Sequence, residues 1–268
     1  MELALLRHFL FNLYRFALLA LFVPGIAMVS AQESEAQKQD EAAEKAAPET
    51  YEYASPAYRI ERSKLKISEP VSREKLQRDD LSHYLKPESL MPLLAGPEDF
   101  ITLIKNELTS NNKGVAILLP DWHQGATAPN SLNYLRKTLP DQGWTTIAIQ
   151  PYEKPAQYPS IALKPEEQTE ENNTSLEQYR QKLTAMMAAV MEKAKSYPGM
   201  FLVVAQGSHA ALLTELYQQE KVPLPNALVV LSSYMLTAAE NETYAKTLAQ
   251  TDLPVLDISL KRDHPLAI

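Results

Sequence analysis

Residues 200–211, Met-Phe-Leu-Val-Val-Ala-Gln-Gly-Ser-His-Ala-Ala, constrain the fold of this chain more than any other stretch. A run of apolar, β-favouring residues meets a turn of small residues, and Leu212, Leu213 and Leu216 then continue at helical spacing. Strand, sharp turn and helix in that order are the geometry that lifts one residue above the C-terminal edge of a parallel sheet, where a serine there can act as a nucleophile. The usual G-x-S-x-G spacing is missing, and the nearest reading is Gln206-Gly207-Ser208-His209-Ala210. The vertex of such a turn has φ > 0, and its neighbours two before and two after must be small. A Ser208 vertex has Gln206 and Ala210 as those neighbours; a Gly207 vertex has Ala205 and His209, so each register carries one bulky residue. Glycine adopts positive φ without steric cost, which favours Gly207 and leaves Ser208 in the first turn of the helix.

The rest of the chain from residue 59 alternates in the same way. Residues 114–120 form a continuous apolar run of the kind buried on both faces of a sheet, and 145–150, 227–233 and 254–260 read as further strands. Helices are expected over 88–94, 97–108, 130–139 and 238–248. The clearest runs over 176–195, where Tyr179, Leu183, Met186, Met187, Val190 and Ala194 keep the i, i+3, i+4 spacing of a core face. A proline-rich, acidic stretch fills 151–173. Strands alternating with helices predict right-handed βαβ units and one mostly parallel sheet with helices on both faces.

Before residue 59 the composition changes. Arg7 and Arg15 precede an apolar run from Phe16 to Met28, and Val29-Ser30-Ala31 places small residues where a signal peptidase cuts. The run is about 13 residues, short of the ~20 that a membrane span needs. Residues 1–31 are therefore expected to be a signal peptide, with an uncleaved N-terminal anchor as the alternative. Residues 32–58 are Gln, Glu, Ala and Lys with almost nothing large and apolar; such a stretch buries too little surface to offset its ordering entropy and is expected to be a disordered acidic linker. The folded domain is placed at 59–268 and the destination in the periplasm, with no stable membrane span once the signal is removed.

Composition excludes several function classes. The chain has no cysteine, which removes disulfides, thiolate metal sites and cysteine nucleophiles. A net charge of −7 argues against nucleic acid as a partner. No cofactor and no metal site are expected.

The order of elements resembles the α/β-hydrolase fold. More narrowly, Gly114–Asp121 (GVAILLPD), Leu135-Arg136 followed by Gly143-Trp144-Thr145-Thr146, and Leu253-Pro254-Val255-Leu256-Asp257 resemble a family of secreted α/β-hydrolase-like proteins of Gram-negative bacteria, defined as a domain of unknown function. The resemblance covers roughly residues 60–268. It implies that Asp263 stands where such hydrolases carry the acid of their triad. It also implies that the loop with Trp122 and His123 stands where they place oxyanion-hole amides. The histidine of that fold comes from a loop beyond one further helix and strand, and only eight residues follow Leu260 here, so the fold is expected to lack that C-terminal strand and helix. His209 remains as a candidate local base, and a solvated position beside the helix N-terminus is its ordinary reading. Two functions follow. The first is a catalytically degenerate domain that binds a small molecule or an envelope protein. The alternative is a serine esterase or acyl hydrolase using Ser208.

Overall fold

The computed structural model describes residues 70–86, 89–261 and 263–267. The expected signal peptide and acidic linker lie outside the described residues. In chain order the elements are α1 (Arg73–Tyr84), β1 (Leu90–Ala95), β2 (Glu98–Lys105), β3 (Gly114–Leu119), α2 (Ser131–Thr138), β4 (Trp144–Ile149), α3 (Pro165–Ala194), β5 (Met200–Gln206), α4 (Gly207–Gln218), β6 (Ala227–Leu231), α5 (Ala238–Gln250) and β7 (Val255–Ile258).

The seven strands form one sheet in the order β1-β2-β4-β3-β5-β6-β7. The β4-β3-β5-β6-β7 part is parallel throughout. β2 runs antiparallel to both β1 and β4. The five strands expected from the sequence are all in this parallel part. The central strand β3 is buried along its whole length, which is why its sequence is unbroken Gly-Val-Ala-Ile-Leu-Leu rather than alternating. Two apolar clusters pack against the sheet. The larger gathers α3 and α4 residues such as Leu183, Met186, Met187, Val190, Leu212 and Leu216 around Ile117, Leu119 and Val203. The smaller places Leu81 of α1 and Leu132 of α2 against Ala116, Leu118 and Val204.

Two expectations are corrected. Residues 88–94 and 97–108 are not helices but the strands β1 and β2, joined through Gly96 and Pro97, with Gly96 at φ +65. A glycine at positive φ in the first position of a two-residue loop is a hairpin signal, and Phe100-Ile101-Thr102-Leu103 is buried as a continuous run, so pairing on two flanks overrides helix propensity. The second correction is to α3, which starts at Pro165 rather than 176 and reaches back into the acidic stretch. Pro at the first helical position and Glu166 and Glu167 in the first turn suit a helix N-terminus. Most of its first residues face solvent, so no apolar periodicity marks them.

Candidate functional site

The C-terminal ends of β3 and β5 bring the candidate residues together. β5 ends at Gln206 in extended conformation, and Gly207 begins α4 with φ +59. The left-handed residue at this junction is thus Gly207. No side chain fits there, because a Cβ on Gly207 would stand closer than 3.0 Å to the carboxyl carbon and both carboxylate oxygens of Asp121. Asp121 follows β3 after Pro120 and is buried. Its Oδ1 accepts a hydrogen bond from the Ser208 backbone N–H at 3.0 Å, and its Oδ2 accepts from the Tyr234 hydroxyl at 3.2 Å. Burial, together with the Asp121 charge and hydrogen bond, pushes the Tyr234 phenol up to about 12, so it keeps its proton and donates it.

This has a chemical consequence. In a working elbow the amide after the vertex is half of the oxyanion hole, and the vertex side chain projects beside it. Here one carboxylate fills both places. A negative charge already lies where negative charge would have to develop.

Ser208 sits behind this carboxylate. It is 0% exposed, and its Oγ has no hydrogen-bond partner among the described residues. The neighbouring His209 is also 0% exposed, which overturns the expectation of a solvated side chain. Its Nδ1 lies 2.5 Å from the Pro120 carbonyl and its Nε2 lies 2.5 Å from the Tyr179 hydroxyl. A carbonyl can only accept, so Nδ1 carries the proton and Nε2 accepts from Tyr179, whose one hydroxyl proton is shared with the Tyr152 carbonyl 3.2 Å away. Burial lowers the His209 pKa; the Asp121 charge and the Pro120 carbonyl oppose this and are outweighed. Burial likewise raises Tyr179 well above its ordinary value, which keeps the phenol a donor. Both ring nitrogens are therefore spent, and neither is available to Ser208.

Trp122 is 5% exposed and forms the centre of an aromatic cluster rather than an open wall. Its ring meets Tyr158, Tyr179 and His209 edge to face at centroid distances of 5.7, 5.5 and 5.8 Å. This cluster packs the space beside the turn. Gln206 is half-buried, its Oε1 3.5 Å from the Asn130 side-chain amide. His123 does not join the group. It is exposed, and its carbonyl accepts from Arg73 Nη2 of α1 at 2.8 Å. Asp263 makes no hydrogen bond to Ser208 or His209 among the described residues. Its carboxylate accepts from the Leu260 and His264 amides at 3.0 and 2.9 Å. Its pKa is lowered: partial burial works upward, and hydrogen bonds from Ser232 and these two amides, with the His264 charge, outweigh it. The His264 ring stacks on Tyr234 at 4.2 Å, so the Asp263 segment reaches the turn through Tyr234.

Asp121, Tyr179 and Tyr234 hold the site together and were not among the sequence candidates. One signal pointed to Asp121: an acidic residue placed just after a fully apolar strand, where a buried charge needs donors close by. Among the described residues no group of three or more His, Cys, Asp or Glu could hold a metal ion.

The antiparallel β1-β2 pair leading into a parallel sheet, with a sharp strand-to-helix turn at the end of β5, defines an α/β-hydrolase-like fold. The chain belongs to the family described as "Protein of unknown function (DUF3530)", which matches residues 13–268. No curated protein matches it. Solved structures similar to it include dienelactone hydrolase from Anabaena variabilis, at 12% identity and a TM-score of 0.43 over 66% of this chain and 87% of that one. A putative thioesterase from a Silicibacter species has 14% identity and a TM-score of 0.42 over 80% and 81%. An alpha-beta serine hydrolase homologue from Coxiella burnetii has 11% identity and a TM-score of 0.38 over 66% and 88%.

Proposed function

We propose that this protein is a catalytically silent α/β-hydrolase-like domain, exported to the periplasm, that binds a small molecule or an envelope partner. The observation that carries this reading is the Asp121 carboxylate seated on the Ser208 amide and over Gly207. An acyl transfer at this turn needs a nucleophile, a base and an empty oxyanion hole. Gly207 supplies no nucleophile. Ser208 is buried without a base, and the hole holds a carboxylate. Export is supported by Arg7 and Arg15, the short apolar run and the small residues ending at Ala31. No helix among the described residues is long and apolar enough to cross a membrane.

A fluorophosphonate probe tests the silent site, because it labels only an activated serine. The purified protein is expected to stay unlabelled, and p-nitrophenyl acetate and butyrate to turn over at the buffer rate. Labelling that disappears in Ser208→Ala would establish the esterase reading instead. N-terminal sequencing of the exported protein tests the compartment, with Gln32 as the expected first residue; an intact Met1 in a membrane fraction would mean an anchor.

A further inference from the structure

The space beside the silent turn is packed with aromatic rings, but a cavity of about 480 Å³ opens between α1 and the loop that follows β3. That is within the ~300–1,000 Å³ typical of small-molecule sites. We propose that this cavity is a saccharide-binding site. The proposal deepens the reading of a non-catalytic binding domain and rests on it.

The cavity is built, not incidental. At its base is Gln150, at the end of β4 and 5% exposed. Its Oε1 accepts from the Ala126 amide at 3.1 Å, and its Nε2 donates to Gln77 Oε1 at 2.6 Å. Arg73 pins the same loop to α1 through the His123 carbonyl. The Gln77 amide is thereby fixed by its oxygen while its two N–H donors have no partner among the described residues. Asp80 and the Tyr84 hydroxyl also line the cavity and have no partner among the described residues. Donors and acceptors thus face one space with their capacity unspent.

Three features select the ligand class. First, the unspent groups are the Gln77 NH2, the Asp80 carboxylate and the Tyr84 hydroxyl, donors and acceptors that suit the hydroxyls of a sugar. Second, Tyr84 is 78% exposed, and the His83 ring meets it edge to face at 4.8 Å. An exposed aromatic ring at the rim of a cavity whose wall mixes hydrogen-bonding groups with Leu85, Ala128 and Pro129 extends an apolar platform beside those groups. A sugar ring presents hydroxyls at its edge and C–H bonds on its face, and so satisfies both at once. Third, Arg73 and Asp80 put one charge of each sign on the wall, which favours a neutral ligand over a strongly anionic or cationic one.

The test passes the fluorescently labelled chain over an array of immobilised saccharides, with Tyr84→Ala, Tyr84→Phe and Gln77→Ala in parallel. Wild type is expected to be retained on a defined subset. Tyr84→Ala and Gln77→Ala should weaken retention about tenfold or more, a factor worth ~1.4 kcal/mol. Tyr84→Phe keeps the platform and should hold most of the binding. Circular dichroism confirms that each variant is folded. Retention on no saccharide, or equal retention of wild type and both alanine variants, overturns the proposal. Fluorophosphonate labelling of the same preparation separates the two readings: labelling defeats the silent site and leaves the array result standing.

Discussion

The decisive residue pair is Gly207 and Asp121. A positive φ alone costs a non-glycine residue ~1–3 kcal/mol, and here a Cβ would also strike the Asp121 carboxylate. Gly207→Ala is therefore expected to lower the urea midpoint more than strain alone explains. Combining it with Asp121→Ala should cost less than the sum of the single changes, because the second substitution removes the atoms that the new methyl meets. Strict additivity would mean that the two positions do not touch. A second residue-scale prediction concerns His209. Its pKa is lowered on folding, so the unfolded chain binds a proton that the native state refuses. Stability from this group is fully present above about 6.5, the ordinary value, and is lost as pH falls below it. Wild type should lose stability as pH falls below about 6.5, and His209→Phe should flatten that slope; an unchanged slope would assign it to other groups. Tyr179→Phe should cost ~1–3 kcal/mol at neutral pH, since it leaves Nε2 buried without its donor. Much of this scale was hidden in the sequence. The junction 206–209 was legible because strand, glycine and helix are local signals. The partners of His209 were not, because Tyr179 and Pro120 are 30 and 89 residues away in the chain.

At the scale of elements, legibility followed burial. β3 announces itself because a strand covered on both faces becomes an uninterrupted apolar run, and β5 and β6 carry apolar runs although they are less completely buried. The core half of α3 shows its 3.6-residue period for the same reason. Where an element's register is set by a distant partner, the local signal fails. β2 is a strand because Thr102–Lys105 pair with Thr146–Ile149 of β4, more than forty residues on. The exposed start of α3 has only its proline and two glutamates to mark it. The core face of α3 supplies the expected test. Leu183 is fully buried, and Leu183→Ala should cost about 2–5 kcal/mol in chemical denaturation, as for other leucines cut back in a packed core. The same cut at Leu163, which is 98% exposed just before the helix, should move the midpoint by less than ~0.5 kcal/mol. Equal losses at the two positions would mean that α3 does not hold the sheet in place.

At the scale of the molecule, the turn after β5 stands on an α/β-hydrolase-like sheet, and the groups around it are engaged in structural contacts. The amide that would hold an oxyanion holds Asp121, and His209 holds Tyr179 and Pro120. On the proposal of a silent site, several residues carry the silence, and that proposal predicts what restoring activity would take. Gly207→Ser combined with Asp121→Ala returns a hydroxyl to the vertex and empties the amide beside it. A serine without a base remains a poor nucleophile near pH 7, and His209 offers its only acceptor nitrogen to Tyr179. The double variant is therefore expected to hydrolyse p-nitrophenyl acetate no faster than buffer. Adding Tyr179→Phe frees Nε2 of the neutral imidazole and is the one further change with a chemical route to a base. Ester turnover confined to the triple variant would show that the His209 contact was the last barrier. Turnover already present in the double variant would show that another group supplies the base, and the account of His209 as a purely structural residue would be wrong.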